Sequence, residues 1–393
     1  MMKIPKITYL LSHPIQYFSP LFRELAKAVD LEVYYFSNAS IKGQKDAGFG
    51  KTIKWDTPLL DGYTSLFLKN YGKKSNPDNH FLDVFNPGAI KVISRRKQAV
   101  TVVNGWTYSS TLLAIFWSKM LGRKVWLRAE SPLNQELRKS KRVLLLKRIF
   151  LKHILFRFFV DKCLYIGTES GNFFRYYGLT NDRLIYTPYA VDNAFFSKTY
   201  DLWRDQVPGL KRKLGIQEEK KVILFVGKYT SKKRPLDLLQ SFQQMGRNDC
   251  ILIMVGEGEL RQEMEIYVKS AGLEDKVVFT GFVNQSEISS YYSVADVFVM
   301  CSGMGETWGL SVNEAMNFAR PVIVSNTCGC SVDLVKHGEN GFIFEEGNIG
   351  QLTDFLQRML ADASFAKSAG IRSREIIEDF SIQRIVQNLS EAI

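Results

Sequence analysis

The sequence predicts an α/β protein built from two domains, each with a doubly wound parallel sheet. Its 393 residues fit two domains of ordinary size. Short apolar runs alternate with amphipathic stretches in both halves of the chain, which is typical of parallel strands joined by crossover helices. The alternation breaks once, over residues 193–218, where two such domains would join.

The first half begins with a strand and a helix, "ITYLLSH" and "SPLFRELAKAV". Further strands are predicted at "LEVYYFS", "AVTVVNG" (99–105), "KVWLRAE" (124–130) and "CLYIGTES" (163–170), with helices over about 109–121 and over 138–162. This half therefore contains enough strands for one complete sheet.

The second half repeats the pattern. Strands are predicted at "KVILFVG" (221–227), "CILIMVG" (250–256), "KVVFTG" (276–281), "VADVFVMCS" (294–302) and "PVIVSN". Helices follow them from about Pro235, in "ELRQEMEIYVKSAG", in "SEISSYYSVA" and from Gly309 to about Phe318.

The predicted organisation is an N-terminal domain over 1–192, a linker over 193–218 and a C-terminal domain over 219–375. A final helix within 376–393 is expected to pack back toward the first domain. Ligands of doubly wound sheets bind outside the carboxyl ends of the strands. We therefore expect the two sheets to face each other across a binding cleft.

The composition favours a cytoplasmic globular protein, with 46% hydrophobic and 23% charged residues. No apolar run approaches the ~20 residues of a membrane span, and the N-terminal apolar run is too short for a signal peptide. Five scattered cysteines suit a reducing compartment. The one close pair, in "CGC" (328–330), has no further Cys or His cluster to complete a metal site.

The positive charge lies entirely in the first half. Residues 1–200 hold 31 Lys or Arg and 14 Asp or Glu, whereas residues 201–393 hold 21 and 26. The sequence contains no basic–aromatic module typical of nucleic-acid recognition. An anionic membrane surface is the other partner that such a surplus favours.

A basic loop follows the first strand of the second half, in "FVGKYTSKKRP". The strand ends at Gly227, Lys228 follows at once, and Lys233 stands two residues before Pro235, a favourable first helical residue. The two ammonium groups can converge beside a helix N-terminus, which suits a diphosphate. A solvated basic loop is the alternative. The turn "VGEGEL" (255–260) is weaker evidence, since it lacks the full G-x-G-x-x-G spacing.

Two carboxylates flank another helix N-terminus, in "GETWGLSVNEAM". Glu306 precedes the helix and Glu314 lies little more than one turn inside it, although a helix N-terminus attracts anions. A neutral polyol needs fixed hydrogen-bond acceptors, and a diphosphate needs N–H and ammonium donors. Carboxylate acceptors and N–H donors would lie together at this helix N-terminus. The alternative is an ordinary helix-terminal charge and a solvated glutamate.

Seven motifs in order now resemble one known family. They are "IYTPYAVD", "VGKYTSKKRP", "LIMVGEGEL", "VVFTGFV", "ADVFVMCSGMGETWGLSVNEAM", "RPVIVSNTCG" and "GENGFIF", over about 185–345. The sequence is similar to retaining glycosyltransferases of family 4, and "SHPIQYFSPLFRELAK" matches more loosely. The resemblance implies the GT-B fold, a nucleoside-diphosphate sugar as donor substrate, retention at the anomeric carbon, and neither cofactor nor metal.

The resemblance also implies roles for residues. Glu306 is expected to bind sugar hydroxyls near the reacting centre, Glu314 the ribose hydroxyls, and Lys228 and Lys233 the diphosphate. Contacts to the base are expected from the backbone of 281–283. The full set expected at the donor is Gly227, Lys228, Lys233, Gly281, Phe282, Val283, Glu306, Thr307, Trp308, Gly309, Leu310, Ser311 and Glu314.

The chain departs from the family at two places. The family often has Arg where this chain has Lys228, so the charge is kept but the bidentate fork is lost. The family also commonly carries a His facing the reacting sugar, after a middle strand of the first domain. The corresponding strand here ends at Glu130. Glu130 and His13, which follows the first strand, are therefore the candidate catalytic residues of the first domain; a helix-capping acid and a structural histidine are the alternatives.

The segment 138–162 carries nine Lys or Arg and one acidic residue. On an α-helical wheel, the more apolar side contains Val143, Leu144, Phe150, Leu151, Ile154, Leu155 and Phe158, interrupted by Lys147. The cations Lys141, Arg148 and Lys152 form a stripe on the other side, beside Leu145, Leu146, Ile149, Phe156 and Phe159. Interleaved cations and apolar groups favour an anionic lipid surface, and a buried helix with snorkelling cations is the alternative.

The resemblance thus implies a metal-independent retaining glycosyltransferase. Its acceptor is expected to be a glycan or a lipid-linked sugar of bacterial cell-surface polysaccharide synthesis, at the inner face of the plasma membrane. A sugar-nucleotide epimerase of the same fold would need no acceptor, and a non-catalytic sugar-nucleotide or glycan-binding protein would need no reaction. The Glu306–Glu314 spacing favours transfer over epimerisation, and the presence of both glutamates and both lysines argues against a non-catalytic protein.

Overall fold

The computed structural model describes residues 4–41, 56–73 and 80–393. These residues divide into two compact units. The first comprises 4–41, 56–73, 80–189 and 382–393, and the second comprises 190–381. Both units hold the predicted parallel sheet covered by helices, so the fold class is confirmed.

The first unit has a seven-stranded parallel sheet within the described residues. Its strands are β1 (Lys6–Leu11), β2 (Asp30–Tyr35), β3 (Thr64–Phe67), β4 (Val100–Asn104), β5 (Lys124–Arg128), β6 (Lys162–Tyr165) and β7 (Leu184–Tyr186). Its first helices are α1 (Phe18–Ala28), α2 (Gly88–Arg95), α3 (Ser109–Met120), α4 (Leu133–Glu136), α5 (Lys141–Arg148) and α6 (Thr168–Tyr176). The strand order, β3-β2-β1-β4-β5-β6-β7, reverses direction between β1 and β4. In doubly wound sheets such a reversal marks the ligand site.

The second unit has a six-stranded parallel sheet. Its strands are β8 (Lys221–Val226), β9 (Cys250–Val255), β10 (Val277–Gly281), β11 (Val297–Met300), β12 (Val322–Ser325) and β13 (Gly341–Phe344). Its helices are α7 (Asn193–Trp203), α8 (Val207–Lys213), α9 (Pro235–Met245), α10 (Arg261–Ser270), α11 (Gln285–Val294), α12 (Leu310–Asn317), α13 (Ser331–Leu334), α14 (Ile349–Ala361) and α15 (Ala363–Glu378). In the order β10-β9-β8-β11-β12-β13 the reversal falls between β8 and β11.

The segment predicted as a linker, 193–218, is helical and belongs to the second unit. Asp192 caps α7 by accepting the amide of Phe195 at 3.0 Å. Phe196 is fully buried, with its ring 6.0 Å from that of Phe318. A capped helix with a buried aromatic residue is part of a core, so the linker prediction was wrong here.

The C-terminal helix α16 (Ile382–Ala392) belongs to the first unit. It packs on α1 and β7, and Asn388 donates a hydrogen bond to the carbonyl of Tyr186 at 2.7 Å. The second unit ends at Ser381, a few residues beyond the predicted boundary at 375.

The basic segment predicted as one α-helix is α5 followed by a π-helix over Ile149–Phe159. The wider π turn, with i→i+5 hydrogen bonds, rotates the buried side away from the α-helical wheel. Phe156, predicted beside the cations, is buried, whereas Ile154 and Phe158, predicted on the more apolar side, are exposed. Those positions on the predicted wheel were therefore wrong.

Lys147 has a clear structural role on the inner side of α5. Its ammonium donates to both carboxylate oxygens of the buried Glu136, at 2.8 and 2.9 Å, and Tyr177 donates to the same carboxylate at 2.8 Å. Burial opposes ionisation of Glu136, but Lys139, Lys147 and Tyr177 outweigh it, so the pKa of Glu136 lies below its usual value. This network fixes α5 while its other side chains stay outside the core. No helix of the described residues is long and apolar enough to cross a membrane.

Candidate functional site

The loop between β11 and α12 carries Glu306, and glycines shape it. Gly305 and Gly309 have φ of 94° and 110°, which L side chains rarely adopt. A Cβ on Gly309 would lie 2.6 Å from the sulfur of Met300, and one on Gly329 would lie 1.9 Å from the carbonyl oxygen of Thr307. The loop is therefore pressed against the core in one conformation, which fixes the position of Glu306.

Glu306 meets cations from the neighbouring loop, across the strand reversal. It is 8% exposed, pairs with the Lys233 ammonium, and lies 3.7 Å from that of Lys232. Burial would raise the pKa of Glu306, but Lys233 and then Lys232 outweigh it, so this pKa lies below its usual value. The site thus holds an ionised carboxylate, a strong acceptor for hydroxyl donors.

The basic loop after β8 lies where the sequence predicts it. Lys233 ends a short 3₁₀ turn just before α9. A Cβ added to Gly227 would lie 3.7 Å from the Cδ of Lys233, so the lysine side chain passes close to the end of β8. Lys228 is half-buried, and its carbonyl accepts the amide of Thr230 at 3.0 Å. Lys232 is a further site cation that the sequence reasoning passed over, although "SKKRP" shows it beside Lys233.

The turn "VGEGEL" has a packing role. A Cβ on Gly256 would lie 1.9 Å from the carbonyl oxygen of Gly227, and one on Gly258 would lie 2.4 Å from that of Tyr229. The Tyr229 amide donates to the carbonyl of Glu257 at 2.8 Å. The two glycines therefore let this turn lie directly against the basic loop and hold it in place.

Helix α12 starts at Leu310, directly after Gly309, and no side chain caps it. The N–H groups in the first turn of any helix have no carbonyl partner within that helix. In α12 these groups include those of Leu310 and Ser311. Glu314 lies inside the helix, 5% exposed, and accepts a hydrogen bond from the Tyr292 hydroxyl at 2.6 Å. Its carboxylate is thus oriented by the neighbouring helix α11.

Trp308 was predicted to contact the donor, but its side chain belongs to the core. The indole is 2% exposed and donates to Asn313 at 2.8 Å, while its ring lies 5.9 Å from Phe380. The Trp308 carbonyl accepts the thiol of Cys328 at 2.8 Å. The Trp308 side chain therefore supports the loop from the core side and is not exposed to a ligand.

The three residues predicted to contact the base lie at the end of the edge strand β10 and directly after it. Gly281 has φ of 75°, and its carbonyl accepts the amide of Gly256 at 3.0 Å. Phe282 and Val283 come next and, like Gly281, are half-buried. Their backbone lies beside the turn that supports the basic loop.

In the first unit, the two candidate catalytic residues follow strands of the sheet's central part. His13 follows β1, is half-buried, and has its Nδ1 3.0 Å from the Ser12 hydroxyl. Glu130 follows β5 and pairs with Arg128. Both belong to the carboxyl edge of the sheet, where ligands bind.

Arg128 was not predicted and organises this edge. It is 4% exposed, its guanidinium lies 4.6 Å from the Phe18 ring and 4.8 Å from the Tyr189 ring, and it donates to Asn104 at 3.3 Å. Burial opposes its charge, but Glu130 outweighs burial, so the pKa of Arg128 lies above its usual value. The charge on the last residue of the apolar strand "KVWLR" was the available sequence signal.

The described residues contain no group of three or more His, Cys, Asp or Glu side chains placed to hold a metal ion. Cys328 and Cys330 are free and buried, with their sulfurs 3.6 Å apart.

Residues 207–376 match the family described as glycosyl transferases group 1. This match covers most of the second unit and contains Glu306, Glu314 and the three lysines of the basic loop. The matched residues therefore include those of the candidate donor site.

Two curated relatives are similar over part of the chain. An uncharacterized glycosyltransferase of Methanocaldococcus jannaschii is 30% identical over 187 residues, 47% of each chain. The N-acetyl-alpha-D-glucosaminyl L-malate synthase of Bacillus anthracis is 28% identical over 179 residues, 45% of this chain and 46% of the relative. The chain thus spans about half the length of the curated relatives it matches.

A solved structure is similar over nearly the whole chain. HepE of Anabaena, crystallised with UDP and glucose, superposes with a TM-score of 0.73 at 17% identity and covers 98% of both chains. At this identity the likeness shows the fold.

Proposed function

We propose that this chain, which has the GT-B fold and whose residues 207–376 match the glycosyl transferases group 1 family, transfers a sugar from a nucleoside-diphosphate sugar to an acceptor hydroxyl. The observation that carries the proposal is the ionised, nearly buried Glu306 beside Lys233 and Lys232, directly before the N-terminus of α12. A nucleoside-diphosphate sugar has both groups that this arrangement can bind. Its sugar hydroxyls can donate hydrogen bonds to the carboxylate, and its anionic diphosphate can pair with the lysines.

The proposed role of each residue follows from its charge. Glu306 accepts hydrogen bonds from hydroxyls of the transferred sugar, and Glu314, oriented by Tyr292, accepts those of the ribose. Lys228, Lys233 and the first N–H groups of α12 stabilise the charge that develops on the departing diphosphate. Because these groups supply the counter-charge, the proposed reaction needs no metal ion.

The proposed transfer retains the anomeric configuration. The bond from the anomeric carbon to the diphosphate breaks, and the acceptor oxygen bonds to that carbon from the same face. The acceptor proton passes to an oxygen of the leaving phosphate, so the atoms and charges balance without a covalent enzyme intermediate. Glu130 and His13 are the candidates for contact with the acceptor in the first unit.

A hydrolysis screen with UDP-, GDP- and ADP-sugars, without acceptor, tests the donor side. Wild type should release the sugar from one class of donor, with the starting anomer retained in the first product seen by NMR. Glu306→Ala and Lys228→Ala should nearly abolish release, while the exposed Lys198→Ala should behave as wild type. Inverted product would contradict retention, and an epimerised sugar nucleotide would identify an epimerase instead.

We also propose that the acceptor is a lipid-linked sugar or glycan at the cytoplasmic side of an anionic membrane. The support is a basic–apolar face, formed by α5, the π-helix and the end of α3. Helix α5 has no buried residue. The exposed apolar side chains of the face are Phe116, Met120, Leu121, Val143, Leu145, Leu146, Ile149, Ile154 and Phe158.

The same elements also carry cations. Lys141, Arg142, Arg148 and Arg157 are exposed and Lys152 is half-buried. The π-helix packs on α3, with the rings of Phe116 and Phe159 5.9 Å apart, so the two elements form one surface. Each cation near an anionic surface contributes about 1 kcal/mol of attraction. Exposed apolar residues then enter the headgroup region, as in helices that lie on a membrane.

A further inference from the structure

A cavity of about 460 Å³ lies in the first unit, beyond the carboxyl ends of β2 and β3. Its volume falls within the range of small-molecule sites. The segments that follow the two strands, 36–38 and 67–73, form its wall, and the lining residues are Phe36, Ser37, Asn38, Phe67, Leu68, Lys69, Asn70, Gly72 and Lys73. The carboxyl edge of a doubly wound sheet is where ligands bind.

The wall of this cavity is held rigidly by buried amides. Asn86 is fully buried and donates to the carbonyls of Phe36 at 3.0 Å and of Leu68 at 3.1 Å, which ties the two strand ends together. The Asn70 side chain accepts the amides of Gly72 at 2.8 Å and of Phe85 at 2.9 Å. A preformed wall reduces the ordering cost of binding.

The charge on the wall is positive. Lys69 and Lys73 are both exposed, and no acidic residue lines the cavity in the part of the chain that the structure describes. The Lys69 ammonium lies 4.9 Å from the Tyr71 ring, and neither lysine forms an ion pair with another described residue. Two cations on one concave wall attract an anion.

The apolar part of the wall is an oriented aromatic ring. Phe67 is 37% exposed and stacks on Tyr35 with the ring centroids 5.4 Å apart. The Tyr35 hydroxyl is hydrogen-bonded to that of Tyr63 at 2.7 Å, which fixes the supporting ring. An aromatic face beside carboxamide and hydroxyl groups fits the mixed apolar and polar surface of a sugar ring.

From these observations we propose that the cavity binds an anionic saccharide, a sugar unit that carries a carboxylate or a phosphate. Phe67 takes the apolar face of the ring, Asn38 and Ser37 its hydroxyls, and Lys69 and Lys73 the anionic group. The inference rests on the proposed function, because it makes this unit a part of the acceptor.

Binding of small probes to the intact chain tests the proposal. Glucuronic acid and glucose 6-phosphate should bind at least tenfold more tightly than glucose, and inorganic phosphate should bind weakly, when followed by ligand-observed NMR and calorimetry. Lys69→Gln/Lys73→Gln should lower the affinity for both anionic sugars at least tenfold. Phe67→Ala should lower the affinity for both anionic sugars and for glucose, because all three share the sugar ring.

Lys97→Gln/Lys367→Gln is the matched control, since both lysines are exposed and Lys97 precedes β4, at the opposite edge of the sheet. It should bind the probes as wild type does. Equal affinity for glucose and glucuronic acid would overturn the proposal, as would equal loss in the control pair, or phosphate binding as tightly as glucose 6-phosphate.

Nucleotide binding, measured separately on the same samples, separates this proposal from the proposed function. If UDP, GDP or ADP binds but the lysine variants bind the sugars normally, the cavity assignment fails and the transferase stands. If no nucleotide binds while the anionic sugars do, the transferase fails and the saccharide site stands.

Discussion

Replacing Glu306 by glutamine tests whether its charge, rather than its shape, holds the loop before α12. Glutamine keeps the volume and one acceptor oxygen but leaves two ammonium groups without their counter-charge. Removing one partner of a buried ion pair costs about 3–5 kcal/mol. Lys232 is 44% exposed and is screened by water, so Lys233, at 16%, contributes most of the effect. We expect the local free energy of unfolding around α12 to fall by about 3 kcal/mol at pH 7.

The pH dependence of this loss has a defined sign. Lys233 and Lys232 outweigh burial and hold the pKa of Glu306 below its ordinary value. Its stabilisation is therefore fully present above the unfolded-state pKa of about 4.3 and is lost as the pH falls through the folded-state pKa. The difference between wild type and Glu306→Gln should be constant from pH 8 to 5 and should shrink below about pH 4.

Hydrogen exchange followed by mass spectrometry, on peptides that cover 305–317, measures this local stability. Glu339→Gln is the control, because the Glu339–Arg372 pair is exposed on both sides, at 61% and 45%, and such pairs contribute about 0–1 kcal/mol. Wild-type protection in Glu306→Gln at pH 7, or a loss that does not change with pH, would refute the reasoning.

Four further results are expected. Glu314→Ala should weaken binding of the donor nucleotide by about 1–3 kcal/mol in calorimetry, and unchanged affinity would remove Glu314 from the site. Chelation with EDTA should leave turnover intact; loss that a divalent ion restores would contradict the metal-free reaction. Gly309→Ala should lower the melting temperature of the second unit, because its Cβ would lie 2.6 Å from the sulfur of Met300. Wild type should sediment with anionic vesicles but not neutral ones, and less at high salt, and Lys141→Glu/Arg148→Glu/Lys152→Glu should stay in solution; wild type that stays in solution at low salt would end the membrane proposal.

The strands could be predicted from the sequence where they are buried on both faces. β8 and β9 read "KVILFV" and "CILIMV", continuous apolar runs typical of central parallel strands. β3, "TSLF", was missed because it is a short edge strand with largely exposed side chains. The π-helix was missed because no sequence pattern distinguishes its period from that of an α-helix over so few turns, and the error moved Phe156 to the wrong side.

The site residues divide in a similar way. Glu306 and Lys233 were found because charges at strand ends and helix starts are visible in the sequence, and the structure brings them together. Trp308 was assigned to the donor by its place in the motif, yet its buried ring lies against Phe380, which is distant in sequence and which no local pattern reports. Arg128 was missed because its partners Phe18 and Tyr189 are distant in sequence.

The pairing of Lys233 with Glu306 links two roles that the sequence analysis treated as separate. Lys233 lowers the pKa of Glu306 and so keeps it ionised, as the proposed binding of sugar hydroxyls requires, and the same ammonium pairs with the residue that precedes the N-terminus of α12, which suits a phosphate. Lys232 lies 3.7 Å from the same carboxylate and can keep it neutralised when Lys233 turns to a phosphate. In the proposed reaction, one of these two adjacent lysines would stay paired with the ionised Glu306 while the other stabilises the leaving diphosphate.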